Sequence, residues 1–474
     1  NKYKMAEEKT ENSPSAEGEK KINETNSPTK TEQSDGKDVQ IEEKKTEENN
    51  ESEKVNENDD SKQTSEPKSM RAIVLNNFGN LKNVKVFKKP EPSPSQGEVL
   101  IKVKICGLNF QDLMVRRGTF DLPSKPPFIM GSECAGEIEM IGEGVTNFKV
   151  GDRVVALPDY KGWAELVTVP ETAIFKLPEN MSYSDAAAIT MNYVVAYIML
   201  FDLSCLTPGK SLLVHSAGGG VGQAVVQLAK TVKDVKVFGV CSKSKHEELK
   251  SENNIDYLLE RGSDYCSEVR KVLPEGVDIV LDCMYGEEYN KCYSLLKPMG
   301  RYILYGSNNF FTGETKSFFS VARSWWQVDK ISPIKLFDDN KTITGFNLRH
   351  LMHQQGGHSF VKNAVDQVFK LWADGYIKPK IDSTWALENV TDAMQKMHDH
   401  KNIGKIVLDL SLEPKIKVAP VNKGKVKDKK SANQDEKQES QTEPEENEKK
   451  TEAEPKNDQN DDASDNAVKE NESS

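Results

Sequence analysis

The run His215-Ser-Ala-Gly-Gly-Gly-Val-Gly222 sets the tightest limit on what this chain can fold into. It follows an apolar stretch, Ser211-Leu-Leu-Val214, and leads into a helical pattern over 223–231. Glycines alone mark only turns, but strand, glycines and helix in that order make Ala217-x-Gly219-x-x-Gly222 a dinucleotide-binding signature. Gly219 lets backbone approach a pyrophosphate, and Gly222 lets helix and strand pack closely. The helix start, with Gly220 and Val221, offers N–H groups and a positive dipole end to the anion. Only Ala217 departs, standing where a first glycine is expected. The competing reading is a purely structural turn.

Around this run the pattern alternates. Strands are expected at 211–215, 236–241, 278–282 and 300–305, with helices at 185–201, 223–231, 246–251, 267–273 and 289–296. Such alternation is the mark of a doubly wound parallel sheet. Upstream, short strands at 70–75, 84–87, 98–105, 134–141 and 153–156 are punctuated by glycine and proline, which suggests an antiparallel barrel-like domain. After residue 346 come helices at 361–374 and 388–400 and a last strand at 405–410, so the nucleotide-binding unit is inserted in a split barrel.

The flanks differ in kind. No aromatic residue lies between Tyr3 and Phe78, and none follows Trp385. Segments this polar bury too little apolar surface to offset about 1–2 kcal/mol of backbone entropy per residue. The expected organisation is a charged disordered tail over 1–68, the first part of the barrel domain over 69–190, and the nucleotide-binding domain over 191–345. The chain then returns to the barrel over 346–412 and ends in a second disordered tail over 413–474. A net charge of −11 argues against nucleic-acid binding, which needs clustered Lys and Arg. The basic run 415–430 is either a solvated linker or a contact for an anionic membrane surface. Seven cysteines with no pairing pattern fit a reducing, cytoplasmic setting. No apolar run near 20 residues is expected, since 186–201 is short and flanked by Asp185 and Asp202.

Three groups of residues make a resemblance specific. They are Cys106-Gly-Leu-Asn-Phe-Gln-Asp112 with Gly131-Ser-Glu-Cys-Ala-Gly136 and Val150-Gly-Asp-Arg-Val154, the glycine run, and Leu296-Lys-Pro-Met-Gly-Arg301 with Tyr305-Gly306. Together they resemble the quinone oxidoreductase branch of the medium-chain dehydrogenase/reductase superfamily over about 70–410. Within it, 242–247, Arg323-Ser-Trp-Trp326 and Ile377-Lys-Pro379 resemble the vesicle amine-transport homologues. The resemblance implies a Rossmann-type domain inserted in a split GroES-like β-barrel domain. It also implies a homodimer, and peripheral contact with vesicle or mitochondrial outer membranes.

An NAD-preferring protein carries an acidic residue about 20 residues after the glycines. Here the chain reads Cys241-Ser-Lys-Ser-Lys245, which suits a 2′-phosphate and favours NADPH. The resemblance points to Ser242 and Lys245 for that contact, to Tyr305 and Gly306 on the cofactor, and to Asn109 and Asp112 beside the nicotinamide. A loop-capping role for Asn109 and Asp112 is the alternative. Relatives place a tyrosine near the adenine ribose where Glu260 stands here, with Tyr257 close by. They often carry Thr at the position of Val195, against the nicotinamide. Tyr193 and Tyr197 either line the substrate cleft or pack in the core.

Zinc-dependent cousins need a Cys, a His and an acid for the catalytic metal, and four clustered cysteines elsewhere. Gly131-Ser132-Glu133 lacks the imidazole and no four-cysteine cluster exists, so no zinc is expected. Without that Lewis acid, hydride transfer to a small hydrophobic acceptor, quinone-like or an α,β-unsaturated carbonyl, is the expected chemistry. The alternative is a nucleotide-binding adaptor or lipid-handling protein of low turnover at a membrane. The aromatic stretch Asn309-Phe-Phe-Thr312, Phe318-Phe319 and Trp325-Trp326 is read either as a substrate channel or membrane patch, or as core and dimer contact.

Overall fold

The structure is a computed structural model that describes residues 68–119, 125–252, 254–284, 286–306 and 332–415. The aromatic stretch over 309–326 lies outside the described residues, as do both expected tails apart from residues 68 and 413–415.

Sixteen strands are built from the described residues. β1 (Ser69–Leu75) pairs antiparallel with β2 (Val84–Pro90) and β4 (Phe128–Ile129). A larger sheet is centred on β3 (Glu98–Leu108), which pairs antiparallel with β5 (Cys134–Ile141), β7 (Leu166–Pro170) and β16 (Lys405–Asp409). β6 (Arg153–Ala156), β8 (Ile174–Lys176) and β15 (Ile381–Ala386) complete it. Strands 98–108 and 405–409 are some 300 residues apart in the chain, so the barrel is split, as the order of sequence patterns suggested.

The inserted sheet is parallel throughout. Its order is β11-β10-β9-β12-β13-β14, from β9 (Ser211–His215), β10 (Lys236–Cys241), β11 (Tyr257–Glu260), β12 (Val277–Asp282), β13 (Leu296–Leu304) and β14 (Thr342–Gly345). Counted from β9, this is the 3-2-1-4-5-6 arrangement of the Rossmann fold. β9 and β12 are buried along their whole length, which is why they read as unbroken apolar runs. The order reverses between β9 and β12, and the crevice beyond their carboxyl ends is where ligands bind in such sheets.

Two helices shape that crevice. α1 (Phe110–Arg117) follows β3 directly. α2 (Tyr183–Tyr197) begins at Ser182, whose hydroxyl accepts the Asp185 N–H, and its alanine-rich stretch packs in the core. The sequence pattern predicts that this helix ends at residue 201, short of a membrane-spanning length. In the structure the helix runs on as a π turn over Ile198–Leu203, marked by the Ser204 N–H reaching the Met199 carbonyl at 2.9 Å. The resulting 21-residue segment Tyr183–Leu203 is long and apolar enough to cross a membrane by length and composition, but most of it is buried in the protein. It packs against the barrel strands and against α3 (Gly220–Lys230).

Candidate functional site

The glycine run forms the floor of a cavity of about 940 Å³ between the barrel and the parallel sheet. Gly219 caps α3, and its N–H donates to the Ser216 carbonyl at 2.7 Å, folding the loop tightly under the helix. The N–H groups of the first turn, at Gly220, Val221 and Gly222, have no intrahelical acceptor, as at any helix start. A β-carbon on Gly222 would lie 2.4 Å from the Ser216 oxygen, and one on Gly220 would meet the Asn192 amide at 2.3 Å. Ala217 is accommodated by a neighbour: a β-carbon on Gly239 of β10 would lie 2.9 Å from the Ala217 methyl. The missing first glycine is thus compensated one strand away.

At one end of the cavity stand Ser242, Lys245 and Arg261. Lys245 is buried, with its ammonium donating to the Asn402 carbonyl at 2.6 Å, and burial pulls its pKa down. Arg261, just past β11, donates from Nη2 to the Ser216 hydroxyl at 2.9 Å, while its Nε is buried without a hydrogen-bond partner. Sequence reasoning missed Arg261. Its signal was the acidic residue before it: Glu260 is engaged by Lys243 at 3.2 Å, and the Tyr257 ring stacks on Phe238, leaving the next position to face the cavity. Tyr305 and Gly306 line the wall beyond Cys283, and the Tyr305 hydroxyl donates to the His215 carbonyl at 3.5 Å.

The other end is built on the barrel. Asn109 faces the cavity, but both atoms of its amide are held: Oδ1 accepts from Lys405 at 2.6 Å and Nδ2 donates to Glu133 Oε2 at 3.1 Å. Lys405 also donates to Glu133 Oε2 at 2.6 Å, and the Met191 N–H donates to Oε1 at 2.7 Å. Lys405 is 3% exposed and Glu133 0%, so this is a buried, fully hydrogen-bonded ion pair. Gly107 makes room for it, since a β-carbon there would sit 2.2 Å from Glu133 Oε2.

Asp112 was expected beside the nicotinamide with Asn109. The structure instead buries it behind the loop, off the cavity wall, where its carboxylate accepts the Asn109 N–H at 2.8 Å. The capping interaction at the start of α1 holds it there. Burial raises its pKa to about 7. The folded protein therefore keeps a proton that the unfolded chain releases near pH 4, and stability falls as pH rises from about 4 to 7. Asp112→Asn, which keeps a carbonyl acceptor, should be the more stable protein at pH 8, by at most about 4 kcal/mol, with the gap closing towards pH 4 in urea titrations.

Tyr193 and Tyr197 are likewise off the cavity wall. Tyr193 is buried with its hydroxyl donating to the Lys378 carbonyl at 3.3 Å, and Tyr197 packs on Phe201. The helix presents Met191, Asn192, Val195 and Ile198 to the cavity instead, and the π turn brings Leu203 beside them. Phe110, Leu304 and Phe346 add to an apolar wall.

Two protein families match. Residues 95–179 match the alcohol dehydrogenase GroES-like domain, and residues 255–408 match the zinc-binding dehydrogenase. The solved structure of a mycobacterial protein complexed with NADPH superposes with a TM-score of 0.63 at 26% identity, covering 72% of this chain and all of that one. The fold and cleft define an oxidoreductase of the medium-chain dehydrogenase/reductase superfamily, with a mycobacterial quinone oxidoreductase among its neighbours. Human synaptic vesicle membrane protein VAT-1 homolog-like is 51% identical over 354 residues, 75% of this chain and 84% of that protein. Its crystal structure has a TM-score of 0.64 at 46% identity, over 73% of this chain and 99% of that one. The VAT-1 protein of Tetronarce californica is 42% identical over 361 residues, 75% of this chain and 93% of its own. The chain belongs to the VAT-1 homologue family.

The name of the second matched family implies zinc, and the residues present do not fit it. The Cys106 thiol donates to the Gly162 carbonyl at 3.3 Å, and burial pushes its pKa well up. Ser132 offers no imidazole, and both Glu133 oxygens are engaged. Among the described residues no group of three or more His, Cys, Asp and Glu side chains is arranged to hold a metal ion. A nicotinamide dinucleotide does fit, on the glycine-lined start of α3 that opens on the cavity and the unpartnered buried Arg261 Nε.

Proposed function

We propose that this chain is a zinc-independent, NADPH-dependent oxidoreductase whose acceptors are quinone-like or α,β-unsaturated carbonyl compounds. The observation that carries this reading is one cavity with a cationic end at Lys245 and Arg261, a glycine cradle in the middle and an apolar wall opposite. NADPH, when bound, supplies the hydride. The residues of the chain do the rest. The start of α3 receives the pyrophosphate, and Ser242, Lys245 and Arg261 receive the 2′-phosphate, where an NAD-preferring site would place an acid that repels it. Tyr305, Gly306 and Val195 border the nicotinamide. Asn109, pinned by Glu133 and Lys405, fixes the loop beneath it. Met191, Ile198, Leu203 and Phe346 exclude water from a hydrophobic acceptor.

Support for the cofactor also comes from the mycobacterial relative solved with NADPH. We further infer a homodimer formed at the β14 edge of the parallel sheet. There Met299, Ile334 and Phe337 are 79%, 70% and 80% exposed, an apolar patch on which a second copy would close. A cytoplasmic protein in peripheral contact with vesicle or mitochondrial outer membranes is the setting we infer, on the names of the relatives and on the family resemblance.

The test pairs a binding titration with an oxidation assay. Purified protein should bind NADPH more tightly than NADH and consume it with at least one small quinone. Lys245→Ala and Arg261→Ala should each weaken NADPH about tenfold, the value of one charge-assisted contact, and leave NADH within twofold. Equal affinity for the two nucleotides sinks the phosphate reading. Tight NADPH binding with no oxidation across the quinone panel would instead make the chain a nucleotide-binding adaptor.

A further inference from the structure

The cationic end of the cavity is built by two separate parts of the chain. Lys245 and Arg261 lie just past β10 and β11 of the parallel sheet. His400, Asn402 and Gly404 lie on the segment that leaves the helix Val390–His398 and enters β16. The two parts are fastened together. The Lys245 ammonium donates to the Asn402 carbonyl at 2.6 Å, and the Gly404 N–H donates to the Gly218 carbonyl at 3.0 Å. Gly219 and Gly404 form an isolated parallel bridge.

His400 is held on the cavity wall by its own backbone and by one ring. Its φ of 54° is in the left-handed region, and its N–H donates to the Met397 carbonyl at 3.0 Å. The imidazole lies nearly parallel to the Phe110 ring, with an interplanar angle of 13° and centroids 6.2 Å apart. It remains exposed to the cavity, so a ligand can reach it.

We propose that His400 is a specificity-determining residue which, as an imidazolium, joins Lys245 and Arg261 in reading the 2′-phosphate, so that the preference for NADPH over NADH is linked to proton uptake. The proposal rests on the NADPH reading above and names a residue that reading did not use.

The charges facing His400 set the direction of the linkage. Lys245 and Arg261 act from the sheet side and His398 and Asp399 from its own turn, and His398 Nε2 is met in turn by Arg117 Nη2 from the end of α1 at 2.7 Å. The carboxylate with the largest influence on His400 is Asp399, and it is already shared by Lys401 at 3.0 Å and Gln395 at 2.6 Å. Packing of the ring against the wall lowers its pKa most, then Arg261 and Lys245, so in the free protein the ring is neutral near pH 7. A phosphate dianion set among these cations reverses the sign of the local field and favours the charged ring. Binding then takes up a proton, and affinity falls as pH rises through the pKa of His400 in the complex. The phosphate itself has a second pKa near 6 and loses charge below it, so the affinity profile has a maximum rather than a steady slope.

Fluorescence titrations of the full chain with NADPH and with NADH between about pH 5.5 and 8.5 test this. The native protein should lose about tenfold in NADPH affinity between pH 6.5 and 8.5, with NADH changing less than twofold. His400→Asn, which tolerates the left-handed backbone, should abolish that falling limb. His400→Arg should keep tight NADPH binding at pH 8.5. Parallel profiles for the native protein and His400→Asn would overturn the role of His400 while the NADPH preference stood. No NADPH preference at any pH would overturn both readings.

Discussion

Gly222→Ala is expected to raise the dissociation constant for NADPH at least about a hundredfold, close to 2.7 kcal/mol, and to reduce oxidoreductase activity in proportion. The new methyl would lie 2.4 Å from the Ser216 carbonyl oxygen and 2.7 Å from the Ala217 Cα. Both are backbone atoms, so no rotamer change relieves the contact. The loop must move away from the start of α3, and the N–H groups of its first turn lose their common aim. Gly345→Ala is the matched control. That residue also lines the cavity, but a β-carbon there has nothing within 4 Å, so affinity should stay within twofold. Melting curves run alongside separate lost binding from lost fold. Equal NADPH affinity for Gly222→Ala and the native chain would remove the glycine cradle from the site.

The cradle was legible because its physics is local. Strand, glycines and helix occupy adjacent positions, and each glycine answers to a contact within a few residues of itself. Strands β5, β6, β9 and β10 fall where alternation or an apolar run put them, since burial on one face or both writes a period into the sequence. Strands of only two to four residues are too short to show a period and left no such trace, among them β4 and β14. The electrostatic parts of the site were hidden for a different reason. Glu133 and Lys405 are 272 positions apart, and Lys405 read simply as the first residue of a last strand. His400 looked like the end of a polar helix, and Arg261 followed a residue already judged by what relatives carry there. Pairings across a split domain depend on topology, which no window of sequence contains. Asp112 shows the converse: a motif residue kept by the family pattern has a local capping task, and the motif alone did not tell that task from cofactor contact.

The second large effect is expected at that hidden pair. Zinc-dependent cousins put a metal near this point of the barrel, whereas here Lys405 brings a fixed positive charge to Glu133, and Asn109 bridges the two. Lys405→Met should therefore lower stability by about 3–5 kcal/mol, because it leaves the Glu133 carboxylate buried without a counter-charge. Glu133→Gln alone should cost a similar amount by stranding the ammonium. The double variant, Glu133→Gln with Lys405→Met, should recover most of the loss, since an amide of the same shape can still accept from Met191 and no charge remains buried. Urea unfolding of the three proteins measures this. The deficit of the single variants should also be nearly independent of salt from 50 to 500 mM, because a pair this enclosed is screened far less than a surface one. Single variants as stable as the native chain would mean that the pair is not ionised, and that Asn109 is held by neutral hydrogen bonds alone. In that case the loop that carries Asn109 would owe its position to the Asp112 cap and the packing of Phe110, not to charge.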